Sequence, residues 1–196
     1  IDIDEIYPVK KENNRLYEEF SISRDKFLVV YAGNFGAAQG ADIILKSAEQ
    51  LKNYSDIQFV IFGGGAEFVT AKKIVADHEL SNVIIHDLLP SERVSEVYSL
   101  GDIALITCKN GVGKAGMPSK TWSIMACNTP IVASFDVGSE LDLIVTSANA
   151  GICIDPENPE KLVETILQCK EGKTQSMNIG RKYVMNHASK TICAKK

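Results

Sequence analysis

Six short apolar runs, residues 27–32, 57–62, 83–86, 102–107, 130–135 and 151–154, recur along the chain, each rich in Val, Ile or Phe. Runs this short and this apolar read as buried strands. The segments between them carry apolar residues at helical spacing: Ile44, Ala48 and Leu51, then Val94, Val97 and Tyr98, then Leu162, Ile166 and Cys169. The last of these opens with Asn158-Pro159-Glu160, a capping residue, a proline at the first helical position and an acid at the positive end of the helix dipole. Parallel neighbours in a sheet need a crossover, and the crossover is right-handed. The pattern therefore predicts an α/β domain with a doubly wound, six-stranded parallel sheet and helices on both faces.

Composition narrows what such a domain can do. At 196 residues, with 45% hydrophobic and 23% charged, the chain can bury a substantial core. Its net charge of -4 and scattered basic residues offer no stripe for nucleic acid and no polybasic segment for an anionic membrane. The five cysteines, at 108, 127, 153, 169 and 193, are odd in number and form no Cys-x-x-Cys pair. Neither a disulfide framework nor a metal site is expected, and buried free thiols point to a reducing cytosol. No apolar run has the length of a membrane span and no signal peptide is visible. The opening Ile1-Asp2-Ile3-Asp4, without methionine, reads as part of something longer.

In an open parallel sheet, ligands bind beyond the carboxyl ends of the strands, where strand order reverses. Three glycine-bearing loops follow strands here. They are Gly33-Asn34-Phe35-Gly36 after the first, Gly63-Gly64-Gly65 after the second, and residues 111–116 after the fourth. The first and fourth strands are neighbours across the switch point in the usual order, so two of these loops should converge. The third loop continues into Met117-Pro118-Ser119-Lys120, where the proline presets a helical turn. It is expected to leave the amides of Ser119, Lys120 and Thr121 free for an anion. Lys114 and Lys120 add positive charge, and Ser119 and Ser123 share one helical face. Together these residues predict a phosphorylated ligand, a nucleotide or a nucleotide-sugar. Residues 33–40 lack the Gly-x-Gly-x-x-Gly spacing and no acid ends the second strand, which disfavours NAD; a Walker loop is also absent. Of the three histidines, 78, 86 and 187, only His86 falls near the binding edge, and with Gly63 and Gly64 it is a candidate for the nucleoside side. Trp122, with Met125 and Ala126, reads as a core-facing stripe, and Glu140 as a helix-start carboxylate.

Residues 33–40, 63–67, 116–123 and 128–134 together resemble the carboxyl-terminal, donor-binding half of GT-B glycosyltransferases. The likeness is to family 4 retaining enzymes of bacterial surface-polysaccharide assembly, similar to fucosamine and colanic-acid transferases. Residues 3–8 resemble the end of the interdomain linker. The resemblance thus implies a linker-like lead-in over 1–25, a Rossmann-like donor domain over 26–196, and an amino-terminal acceptor domain outside this chain. It further implies a nucleotide-sugar donor, usually a UDP-sugar, bound without a metal or other cofactor, with its diphosphate over Gly33, Asn34, Gly36, Lys114, Gly116, Met117, Pro118, Ser119, Lys120 and Ser123. The acceptor would be a glycan or lipid-linked, presented by the other domain at the inner face of the membrane. This segment alone is not expected to transfer sugar. Where many members carry two glutamates, this chain has Ala115 and Ser123; where they carry an arginine and a lysine after the first strand, it has Asn34 and Gln39. Lys120 and Lys114 would supply the missing charge, and no catalytic residue is assigned. Two rival readings are a UDP-sugar epimerase of the same fold and a non-catalytic nucleotide-binding module.

Overall fold

The computed structural model describes residues 1–173 and 179–193, except for the side chains of Ala115 and Cys193. Its strands are β1 (Phe27–Asn34), β2 (Ile57–Gly64), β3 (Val83–Asp87), β4 (Ile103–Thr107), β5 (Ile131–Ser134) and β6 (Gly151–Ile154). All pair in parallel, in the order β3-β2-β1-β4-β5-β6. β1 and β4 are adjacent, so the switch point lies where the loop pattern predicts it. The first two strands run past their apolar stretches because the register continues through Gly33 opposite Gly63 and Asn34 opposite Gly64. β4 begins one residue late, at Ile103, and Asp102 before it accepts the Leu28 amide through its carboxylate at 2.7 Å.

The helices are α1 (Leu16–Glu19), α2 (Asp42–Gln50), α3 (Phe68–Asp77), α4 (Val94–Tyr98), α5 (Lys120–Ala126), α6 (Glu140–Ser147), α7 (Pro159–Lys170), α8 (Gly180–His187) and α9 (Lys190–Cys193). Strand residues alternate between two apolar layers, as the period of two requires. Leu28, Val30, Val60, Phe62, Ala104 and Ile106 pack with residues of α1, α4, α5, α6 and α8. Val29, Tyr31, Phe59, Ile61, Ile103 and Leu105 pack with α2, α3 and α7. Most of these side chains are fully buried, and each large one contributes about 1.5–3 kcal/mol relative to exposure. Local signals are met as expected. The Asn158 side chain accepts the Lys161 amide at 2.9 Å with Pro159 at the first helical position, and Glu140 opens α6 behind the Ser139 cap. Trp122 is partly buried against the first layer, beside fully buried Met125 and Ala126.

Residues 1–25 lie against this body. Leu16 and Tyr17 are buried in the first layer, and Arg93, at the start of α4, holds Glu19 through two bonds of 2.7 and 2.9 Å. Arg181 joins three segments through its guanidinium. It donates to the carbonyls of Ile3 and Ile6 in the lead-in, at 3.0 Å each, and of Ala126 at the end of α5, at 2.6 Å.

Candidate functional site

At the carboxyl edge of the sheet the glycine-bearing loops bind one another before any ligand is considered. The Phe35 amide donates to Gly64 O at 2.6 Å and the Glu67 amide to Phe35 O at 2.9 Å, which zips the loops after β1 and β2 together. A Cβ on Gly63 would enter the Phe68 ring, and one on Gly65 would enter the Asn34 side chain. The Lys109 amide donates to Ala38 O at 3.0 Å, joining the loop after β1 to the loop after β4. Gly40 allows that approach, because it holds φ +54° with the Cys108 backbone 3.0 Å from where a side chain would begin.

Two carboxylates then fix the first half of the loop after β4. Glu157 accepts from Lys109 Nζ and the Asn110 amide, both at 3.0 Å, and does so from a left-handed φ of +59°, uncommon outside glycine. Asp136, buried just beyond β5, accepts the Gly111 amide at 2.8 Å and the Gly113 amide at 2.7 Å. Two donors of a glycine-rich turn, one on each side of Val112, are thus already filled by an internal anion. Neither Asp136 nor Glu157 stands out in the sequence, because their partners lie 25 and 47 residues away. The only signal is position: Asp136 ends an apolar run at the same sheet edge as the glycine loops.

The second half of the loop is different. Among the described residues no acceptor engages the amides of Ser119 and Lys120. The Thr121 amide, expected to be free, donates to Pro118 O at 3.0 Å, because the chain closes a tight turn before α5 begins. Lys120 Nζ lies 4.3 Å from the centroid of the Tyr31 ring and has no carboxylate partner among the described residues. Burial without a counter-charge pulls its pKa down to about 8. Gly33 accommodates the ammonium group, since a Cβ there would overlap Lys120 Nζ. Tyr31 is held beneath by its hydroxyl, which donates to Asn34 O at 2.8 Å.

Lys120 stands at the junction of two cavities. The first, about 220 Å³, is walled by apolar groups: Gly33, Phe62, Leu88, Leu89, Pro90 and Tyr98 among them. The second, about 340 Å³, is lined by Asn34, Gln39, Thr107, Val112, Met117 and Phe135, with Gly116 and Pro118 at its edge. Both cavities are largely apolar; the second adds the side chains of Asn34, Gln39 and Thr107, and Lys120 lines both.

Of the residues the sequence singled out, the structure brings Gly33, Asn34, Gly116, Met117, Pro118 and Lys120 to these cavities. Gly36 lies against the side-chain ends of Asn34 and Gln39; Gly63 packs under Phe68, and Gly64 sits beside Leu88. Lys114 and Ser119 are exposed and, with Ser123, line neither cavity. His86 is exposed on β3 and packs on Phe20, ring centroids 4.5 Å apart, outside the first cavity's lining. No group of three His, Cys, Asp or Glu among the described residues could hold a metal ion.

The family model described as glycosyl transferases group 1 matches residues 13–183. The chain belongs to this family. It is 27% identical over 154 residues to a putative colanic acid biosynthesis glycosyl transferase, WcaI, of Escherichia coli, a match covering 78% of this chain and 38% of that protein. It is also 27% identical over 162 residues to a probable glycosyltransferase, WbjE, of Pseudomonas aeruginosa, covering 83% and 40%. The chain thus spans about two fifths of the length of these group 1 relatives. Among solved structures, the sucrose-phosphate synthase of Thermosynechococcus elongatus superposes on all of this chain and 48% of its own, at a TM-score of 0.81 and 18% identity. The carboxyl-terminal domain of a Francisella tularensis group 1 protein, LpcC, superposes on 97% of this chain and 99% of its own, at 0.76 and 17%. These likenesses establish the fold, a GT-B half with a Rossmann-like parallel sheet.

The described residues contain no helix long and apolar enough to cross a membrane. Cys108, Cys127 and Cys153 form no disulfide among the described residues.

Proposed function

We propose that this chain is the donor-binding part of a glycosyltransferase of surface-polysaccharide assembly and that its donor is a UDP-sugar. The observation that carries the reading is Lys120, a half-buried ammonium with no carboxylate partner among the described residues, set between a cavity walled by Phe62, Leu88, Leu89 and Pro90 and a second one that carries the side chains of Asn34, Gln39 and Thr107. A nucleotide-sugar has that sequence of parts: a flat base and ribose, a diphosphate, then a hydroxyl-rich ring. The nucleoside end fits between Phe62 and the Leu88-Leu89-Pro90 wall. The diphosphate meets Lys120 and the free amides of Ser119 and Lys120, while Asn34, Gln39 and Thr107 face the sugar. Placed there, Lys120 opposes the charge that builds on the diphosphate as the glycosidic bond to it breaks, a fixed electrostatic role that does not require a metal. The acceptor, a glycan or lipid-linked molecule, would come from the part of the protein outside this chain.

Calorimetry on the purified chain tests the reading. UDP should bind with equal affinity in EDTA and in magnesium, and more tightly than uridine. Binding that required a divalent cation, or no preference for the diphosphate, would discard it.

A further inference from the structure

Asp136 holds the loop after β4, yet its side chain lines neither cavity. It is 5% exposed and has no cationic partner among the described residues. A carboxylate is seldom buried without a cation unless hydrogen bonds satisfy it, and here the two backbone amides do so, one on each oxygen. Those amides, of Gly111 and Gly113, flank Val112, and Val112 is a wall of the second cavity. Fixing both neighbours of a residue fixes the residue. The hold is close as well as polar: a Cβ on Gly113 would enter the Phe135 ring and lie 2.9 Å from Asp136 Oδ2. On its other side, Asp136 O accepts the Ser139 amide at 3.1 Å, so the same residue sets the turn into α6.

We propose that Asp136 is a positioning residue for the donor. Its carboxylate stands in for an external anion at Gly111 and Gly113, holds the Val112 wall in place before the ligand arrives, and leaves the diphosphate only the Lys120 side of the loop. A wall formed in advance need not be ordered during binding, which raises affinity for whatever occupies the second cavity. The inference rests on the donor reading above, and it assigns Asp136 to the diphosphate-sugar end alone, because the first cavity is lined by none of the loop from 109 to 116.

The test is Asp136→Asn in the purified chain, with UDP and uridine as probes and amide hydrogen exchange as an independent readout. Asparagine keeps the volume but supplies one acceptor oxygen, so one of the two glycine amides faces an NH2 group instead. UDP affinity should fall about tenfold while uridine affinity stays unchanged. Equal losses for both probes, or an unchanged UDP affinity, would overturn the assignment. In the wild type the Gly111 and Gly113 amides should exchange slowly; exchange at the rate of an open loop would overturn it too, even if the variant failed to fold. Wild-type protein that did not bind UDP would count against the donor reading, and the exchange result would then decide the role of Asp136 separately.

Discussion

The loop after β4 consists of two halves that look alike in sequence, both glycine-bearing, each with a lysine. Residues 109–113 are bound on three sides, by Ala38, Glu157 and Asp136. Across residues 116–120, Gly116, Met117, Pro118 and Lys120 border a cavity, and Lys120 is left without a counter-charge among the described residues. Glycine serves opposite ends in the two halves. At Gly113 it lets the loop press against Phe135. At Gly116, as at Gly111, nothing lies within 4 Å of where a side chain would start, but of the two only Gly116 borders the second cavity. A glycine-rich, cationic segment therefore does not mark a phosphate cradle along its whole length. Only the half with unused donors qualifies.

Substitutions on either side should separate the halves by what they damage. The largest effect is expected from Gly113→Ala in the bound half. Its methyl group would have to displace the Phe135 ring, so thermal or denaturant unfolding should show a loss of about 3 kcal/mol, the upper end for forcing a methyl into a closed core. Unchanged stability would mean that this half is not held as described. Next, Lys120→Ala in the open half should leave unfolding nearly unaltered and weaken UDP by about 1–3 kcal/mol, with uridine unaffected. Equal losses for UDP and uridine would make Lys120 a structural residue and erase the contrast.

The smallest effect is a pH dependence. Free Lys120, pulled down to about 8, is charged below that pH and neutral above it, and the charged form is the one that binds diphosphate. UDP affinity should thus be full at pH 7 and fall about tenfold by pH 9, whereas Lys120→Ala should show no such step. A wild-type profile that is flat over this range would show that Lys120 does not carry the diphosphate.

The sheet was legible because its signals are local. Each strand is centred on a short, largely apolar run, and the Asn158-Pro159 start of α7 is decided within four residues. The convergence of Gly33 and Lys120 was also legible, since strand order alone brings the loops after β1 and β4 together. What the sequence concealed is which donors and charges were already in use. The Thr121 amide is taken by a turn within its own segment, but Gly111 and Gly113 are taken by a carboxylate that only the fold brings near. Lys114 and Lys120 are equal as letters, yet one is exposed and the other lies over a tyrosine ring. Burial separates them, and burial depends on the packing of the whole edge.

The guanidinium of Arg181 has a mechanical consequence. It grips Ile3 and Ile6 with the same group that grips Ala126, the last residue of the helix that begins at Lys120. Residues 3–6 and the carboxyl end of α5 therefore share one anchor, at the end of the helix opposite Lys120, and removing that single guanidinium would release both segments at once.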